Sequence, residues 1–292
     1  MNEKHLRDLP ERFVAGSIAT ILTIVAVGLS HTWPFEYLFL GYLCLLQGIA
    51  LWEYYHLARL KDLRPLAWIG IIFATLITAL RFFSIHIPEM RTYFELLFYL
   101  FGVVAFVVHF KRQKDAIANL GVTLFGFFYI AFPLSLLIDI NYNFSSTHQG
   151  SNFFWLLYVV GATKFGDMVA YFVGRRWGTN MLCPHLSPQK TFEGAIGGLL
   201  GSMFFGLFFY LAFQLCGFEL VPQVSTRDIF VLSLMIGFAT IVGDLAESLL
   251  KRDAQAKDSN AIPGLGGILD MIDSLLFTTP LVYLFLRAKL VV

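Results

Sequence analysis

Charge is what this sequence has least of. Asp, Glu, Lys and Arg make up 14% of its 292 residues, against about 25% in an average soluble domain. That shortfall argues against a soluble enzyme with an ordinary surface. Hydrophobic side chains at 57%, with 31 Phe and 12 Tyr, point instead to an integral membrane protein. Cysteine is scarce as well: Cys44, Cys183 and Cys216 are scattered and form no CxxC pair. A disulfide framework and a thiolate zinc site are therefore not expected. Neither sign of charge dominates, since the net charge is +1. No global field favours nucleic acid, and none is expected as a partner.

A bilayer core takes about 20 apolar residues per helix. Nine segments have that character: 13–31, 35–57, 66–86, 93–110, 118–139, 153–173, 192–216, 228–249 and 275–290. Runs such as "GSMFFGLFFYLAF" lack the period-two alternation of a membrane barrel strand, so helices are predicted. The expected fold is an all-α polytopic bundle of about nine transmembrane helices, with a polar cleft opening to the cytoplasm. The first thirteen residues are polar and no small-x-small cleavage site follows, so the first apolar segment is expected to stay as a helix.

Lys and Arg set the orientation. Fifteen of the 21 fall on one set of helix ends: Lys4, Arg7, Arg12; Arg59, Lys61, Arg64; Lys111, Arg112, Lys114; Arg175, Arg176, Lys190; and Lys251, Arg252, Lys257. Those ends and the N-terminus are predicted to be cytoplasmic. Arg81, Arg91, Arg227, Arg287 and Lys289 lie opposite, the last two against the rule.

Ionisable residues inside spans suggest function, and they gather in the C-terminal half. In "GFATIVGDLAESLLKRD", Asp244, Glu247, Ser248, Lys251 and Arg252 share one helical face. A snorkelling helix end would account for Arg252, but Asp244 lies two turns deeper. The stretch "KDSNAIPGLGG" follows, where Pro263, Gly264, Gly266 and Gly267 exclude a regular helix and permit close approach to a ligand. Next comes "ILDMIDSLLF", with Asp270 and Asp273 at i, i+3 and Ser274 at i+4. Acids are welcome at a helix N-terminus, yet Asp244 and Asp258 nearby would repel them unless a cation intervenes. A donor set of carboxylates and hydroxyls, without His or Cys, suits Mg²⁺ completed by substrate phosphates. Lys251, Arg252 and Lys257 are placed to hold phosphate oxygens. Upstream, Lys164, Asp167 and Tyr171 share a face of the sixth span. "HLSPQKTFEGAIGG" adds a Ser-Pro turn, Lys190, Thr191 and Glu193, although Thr191 precedes Glu193 by two residues and no capping box is met. His185 reads as a surface residue. The loop 138–152 reads as a plain connection.

These motifs resemble phosphatidate cytidylyltransferase, or CDP-diacylglycerol synthase, of the bacterial type. Ser248, Lys251, Arg252, Lys257, Asp258, Ile262, Pro263, Gly264, Gly266, Gly267, Asp270 and Asp273 stand in register with that family's signature, S-x-x-K-R-x4-K-D-x4-[LI]-P-G-H-G-G-x-x-D-R-x-D. "GDLAES", "GDMVAYFVGRRWG" and "LSPQKTFEGAIGG" are similar to its other segments, so the likeness covers roughly 163–275. Leu265 stands where the family has His, Met271 where it has Arg, and Gln189 where it has the first Lys of SPKKT. Any mechanism for this chain therefore works without an imidazole at position 265.

The resemblance implies a nucleotidyltransferase that converts CTP and phosphatidate to CDP-diacylglycerol and pyrophosphate. It implies Asp244, Asp270 and Asp273 as catalytic metal ligands for Mg²⁺, with room for a second cation, and Lys251 as a further catalytic residue. Lys190, Ser248, Arg252, Lys257, Asp258, Asp167, Tyr171, Gly264, Gly266 and Gly267 would form the substrate site. Residues 1–152 are expected to form five scaffold spans with lipid access, and 153–292 the catalytic region, with its signature at 244–274. The expected setting is a bacterial inner membrane with a cytoplasmic active site, and a homodimer is the oligomeric expectation. Two rivals are weighed: a CTP-dependent polyprenol or phytol kinase (or a cytidylyltransferase for another lipid phosphate), and a cation-coupled transporter. The transporter ranks low because the acids gather at one membrane face rather than at the midplane.

Overall fold

Lipid offers no hydrogen-bond partners, so a chain this apolar must satisfy its backbone internally, and helices do so within one segment. The computed structural model describes residues 22–23, 25–110, 114–144, 153–216, 224–256, 259 and 267–290. Its helices are α1 (Glu36–Leu60), α2 (Ala67–His86), α3 (Tyr93–His109, entered by a 3-10 turn at Pro88–Thr92) and α4 (Ala116–Gly126). A π-helical turn, Phe127–Ala131, leads into α5 (Phe132–Tyr142). Then follow α6 (Phe154–Trp177), α7 (Phe192–Leu215), α8 (Thr226–Asp253) and α9 (Ile268–Leu290). Among the described residues, eight helical stretches are long and apolar enough to cross a membrane, with α4 to α5 counting as one. They match the second to ninth spans expected from the sequence. The expected first span, 13–31, lies largely outside the described residues.

One departure from the all-helical expectation is a two-stranded antiparallel sheet, β1 (Met181–Cys183) and β2 (Ser187–Thr191). Ser187 and Pro188, expected to turn, lie in β2. Both strands of a two-stranded sheet are edges, where proline is tolerated because no ladder bond is needed from its nitrogen.

The chain divides into two compact units, residues 1–135 with 253–271, and residues 136–252 with 272–292. In the first, polar side chains tie apolar helices together. Gln47 donates from Nε2 to the Ala131 carbonyl at 2.9 Å and accepts from Thr78 Oγ1 at 2.8 Å. Ala131 closes the π turn, where the regular ladder is interrupted, so Gln47 supplies a donor where one is needed. Tyr55 donates to the Thr123 carbonyl at 3.0 Å, and Thr123 Oγ1 accepts from the Leu66 amide at 2.9 Å.

The second unit relies on small residues. Without a hydrophobic drive between helices in lipid, small side chains let backbones meet. A Cβ at Gly201 would stand 2.8 Å from Val169 Cβ, and one at Gly198 would stand 3.0 Å from Ala170 Cβ. Ser202 donates to the Ala162 carbonyl at 3.0 Å, which locks α7 against α6. Tyr158 and Ser233 hydroxyls meet at 2.7 Å and join α6 to α8. At the far end of α9, Lys289 pairs with Asp228 at 2.8 Å. That pairing offsets one of the two cations that run against the charge asymmetry.

Candidate active site

The second unit gathers three carboxylates around one hydroxyl. Asp167 comes from α6, Asp244 from α8, and Asp273 with Ser274 from α9. Ser274 is buried and donates to Asp244 Oδ1 at 2.7 Å. The same hydroxyl lies 3.3 Å from Asp167 Oδ2 and 3.3 Å from Asp273 Oδ1, and the Ser274 amide reaches Asp273 Oδ1 at 2.6 Å. Asp244 stands close enough to Asp167 and to Asp273 for their charges to repel. Two lysines offset that repulsion: Lys190 Nζ sits 2.7 Å from Asp244 Oδ2, and Lys164 Nζ sits 3.3 Å from Asp167 Oδ2.

Local sequence explains how these groups meet. Gly243, the residue before Asp244, packs against the backbone of α9, where a Cβ would stand 2.7 Å from the Asp273 carbonyl oxygen and 2.9 Å from Ser274 Cα. The glycine therefore sets the close approach that brings Asp244 to Ser274. Lys190 is delivered by the hairpin. Thr191 caps α7 by accepting from the Gly194 amide at 3.1 Å. Glu193 does not complete a capping box; it accepts from Thr179 Oγ1 at 2.7 Å and Asn180 Nδ2 at 2.8 Å, fixing the hairpin's approach. Arg252 donates from Nε to the Leu186 carbonyl at 3.1 Å, so α8 holds the other side of the hairpin.

The remaining expected residues fall as follows. Lys251 pairs with the buried Glu247 on its own helix. Ser248 is buried on α8. Tyr171 is exposed and its hydroxyl accepts from Arg175 at 2.9 Å. Gly267 immediately precedes α9, and Asp270 lies in its first turn, within the first unit. Lys257, Asp258, Gly264, Leu265 and Gly266 lie outside the described residues.

Glu53 belongs to none of the motifs. It is fully buried on α1 and accepts from the Leu269 amide at 2.8 Å and the Ile268 amide at 3.2 Å. Its one visible signal was an acid set inside the apolar segment 35–57.

Among the described residues the site offers oxygen donors together with ammonium groups. Among the described residues no group of three or more His, Cys, Asp or Glu closes into a metal cage. Mg²⁺ requires less, because it keeps several waters and uses one or two carboxylates with substrate phosphates. Asp244 and Asp273 have the donor chemistry for that role, and Lys190 and Lys164 place positive charge beside the acids.

The profile of the Cytidylyltransferase family matches residues 11–289. A phosphatidate cytidylyltransferase of Chlamydia pneumoniae is 32% identical, over 96% of this chain and 92% of its own length. That of Bacillus subtilis is 30% identical, over 96% and 98%. That of Synechocystis sp. is 30% identical, over 81% and 84%. With the profile spanning nearly the whole chain, and with acids, lysines and membrane helices of a kind suited to phosphate chemistry, this integral membrane protein belongs to the cytidylyltransferase family.

Proposed function

We propose that this enzyme transfers the cytidylyl group of CTP to phosphatidate, giving CDP-diacylglycerol and pyrophosphate. The observation that carries this reading is the Asp167–Asp244–Asp273 cluster around Ser274, with Lys190 and Lys164 on its acids. The activity for which its relatives are named supplies the substrate.

An oxygen of the lipid phosphate attacks the α-phosphorus of CTP. A bond forms between them, the bond from the α-phosphorus to the bridging oxygen breaks, and pyrophosphate leaves with that electron pair. A phosphate monoester is anionic at pH 7, so the nucleophile needs no base and the Leu265 substitution removes nothing essential. The barrier is repulsion between phosphates. Lys190 and Lys164, with Lys251, Arg252 and Lys257, lower it by holding phosphate oxygens. Asp244 and Asp273, with Asp270 one turn earlier on α9, would hold Mg²⁺, and a second cation is part of the same reading. When bound, Mg²⁺ neutralises and orients phosphate oxygens. Ser274 keeps Asp244 turned toward Asp273, and Asp167 and Ser248 complete the polar wall. Tyr171, Asp258 and the glycines 264, 266 and 267 contribute to substrate binding.

In this reading the N-terminal spans, 1–152, form scaffold and lipid access, and 153–292 carries catalysis. The cluster faces the cytoplasm of a bacterial inner membrane, in keeping with the Lys and Arg asymmetry and the bacterial relatives, and the enzyme works as a homodimer.

Pyrophosphate release by the purified protein tests the proposal. Release should require CTP, phosphatidate and Mg²⁺ together, stop with EDTA and return with excess Mg²⁺. Asp273→Asn should lower the rate by about 100-fold or more. Full-rate release in EDTA, or from Asp273→Asn, would overturn it.

A further inference from the structure

An α-helix begins with backbone N–H groups that have no partner inside it, and a side chain just before the first turn usually accepts from them. Helix α9 has none to offer, because Gly267 precedes Ile268. A larger residue there would displace side chains: a Cβ on Gly267 would run into the Ser259 hydroxyl first, and would stand 2.8 Å from Asp270 Oδ2 and 2.9 Å from Asp270 Cγ. The acceptor comes from 215 residues away. Glu53 Oε1 accepts from the Ile268 amide at 3.2 Å, and Glu53 Oε2 from the Leu269 amide at 2.8 Å. The Ser259 hydroxyl approaches the same Oε2 at 3.5 Å, a long bond from just before the glycine-rich stretch.

Burying a carboxylate is expensive unless it is compensated, and Glu53 is 0% exposed. Two aligned amides and the positive end of a 23-residue helix provide that compensation. Stability alone explains such an arrangement poorly, since an apolar residue on α1 with a conventional capping residue on α9 would cost less. Asp270 is what sets this terminus apart. Its carboxylate, together with the Ser259 hydroxyl, occupies the space that a capping side chain at position 267 would need. A cap from outside leaves that space to Asp270.

We propose that Glu53 is a positioning residue for catalysis: from α1 it caps α9 and holds the first turn, so that Asp270, and Asp273 one turn on, keep a fixed direction. This rests on the reading of those aspartates as metal and phosphate ligands. Groups that orient metal ligands typically matter by about 10–100-fold in metal affinity or activity.

The test uses the full chain in lipid nanodiscs with Glu53→Gln, which keeps the shape but turns an amide NH₂ toward one of the two donors. Glu53→Ala serves as the stronger variant. In metal-free protein, amide hydrogen exchange at the start of α9 should quicken about tenfold or more, the factor matching about 1.4 kcal/mol of lost capping. The Mg²⁺ concentration for half-maximal activity should rise about 10–100-fold, while the KM for phosphatidate stays unchanged. Glu53→Gln with wild-type exchange and wild-type Mg²⁺ dependence overturns the inference. So does an activity loss that only tracks the amount of folded protein, with Mg²⁺ dependence intact. Asp270→Asn is measured alongside. If it is impaired while Glu53→Gln is normal, only the positioning role falls; if it is fully active, the site reading falls and takes this inference with it.

Discussion

A single methyl group added at Gly243 should push apart the two helices that hold the acid cluster. The Cβ of Gly243→Ala would stand 2.7 Å from the Asp273 carbonyl oxygen and 2.9 Å from Ser274 Cα. Both are backbone atoms of α9 and cannot rotate away. Restoring an ordinary contact of about 3.4 Å requires α8 and α9 to separate by roughly 0.7 Å at this point. The Ser274–Asp244 hydrogen bond, 2.7 Å in the native protein, would stretch to about 3.4 Å, well beyond the usual O–H···O range and much weakened. Overpacking of this size costs about 1–3 kcal/mol in stability, which a multi-span membrane protein can survive. A misplacement near 1 Å at a catalytic group can cost about 100-fold in rate. The expected result is a folded protein with kcat reduced about 30–100-fold. Steady-state cytidylyl transfer and a thermal unfolding curve on the same sample measure both quantities. Gly243→Ala with native kcat and native Tm would refute the claim that this glycine sets the site's geometry.

Other substitutions separate the roles within the site. Ser274→Ala removes the hydroxyl shared by three acids; losing one hydrogen bond to a charged acceptor is worth about 1.5–3 kcal/mol, so kcat/KM should fall about 10–100-fold with little change in expression. Lys190→Gln takes the ammonium from Asp244, 2.7 Å away, and from the phosphate it would hold. Its kcat/KM for CTP should fall about 100-fold, with Lys190→Arg retaining more activity than Lys190→Gln. Gly267→Ala should impair Mg²⁺-dependent transfer more than it lowers Tm, because the added Cβ meets only side-chain ends that can turn aside, the Ser259 hydroxyl and, at 2.8 Å, the Asp270 carboxylate, and so redirects Asp270.

Much of this architecture was legible in the sequence because a bilayer imposes a length. Eight apolar segments became the eight long helices, with α1 and α9 extending past the expected ends. The acids on α8 and α9 were legible because helical spacing puts Asp244 on a polar face and Asp270 and Asp273 at i, i+3. What brings Asp244 to Ser274 was not, since Gly243 matters through α9, thirty residues on. The hairpin stayed hidden because its strands are short and Ser187-Pro188 carries a turn signal. The π turn ends where Gln47 meets the Ala131 carbonyl, a tertiary contact that no local pattern announces. Glu53 was visible only as an acid in an apolar run, and its meaning lay with amides at the other end of the chain.

The central claim is that an α-phosphorus is transferred to a lipid phosphate, and labelled CTP reads this directly. Purified protein should move label from α-³²P CTP into phosphatidate-derived, chloroform-soluble lipid, releasing one pyrophosphate per lipid labelled. γ-³²P CTP should label pyrophosphate alone. Lipid labelled from the γ position, as a kinase would do, or no lipid labelling with phosphatidate and Mg²⁺ present, would contradict the account.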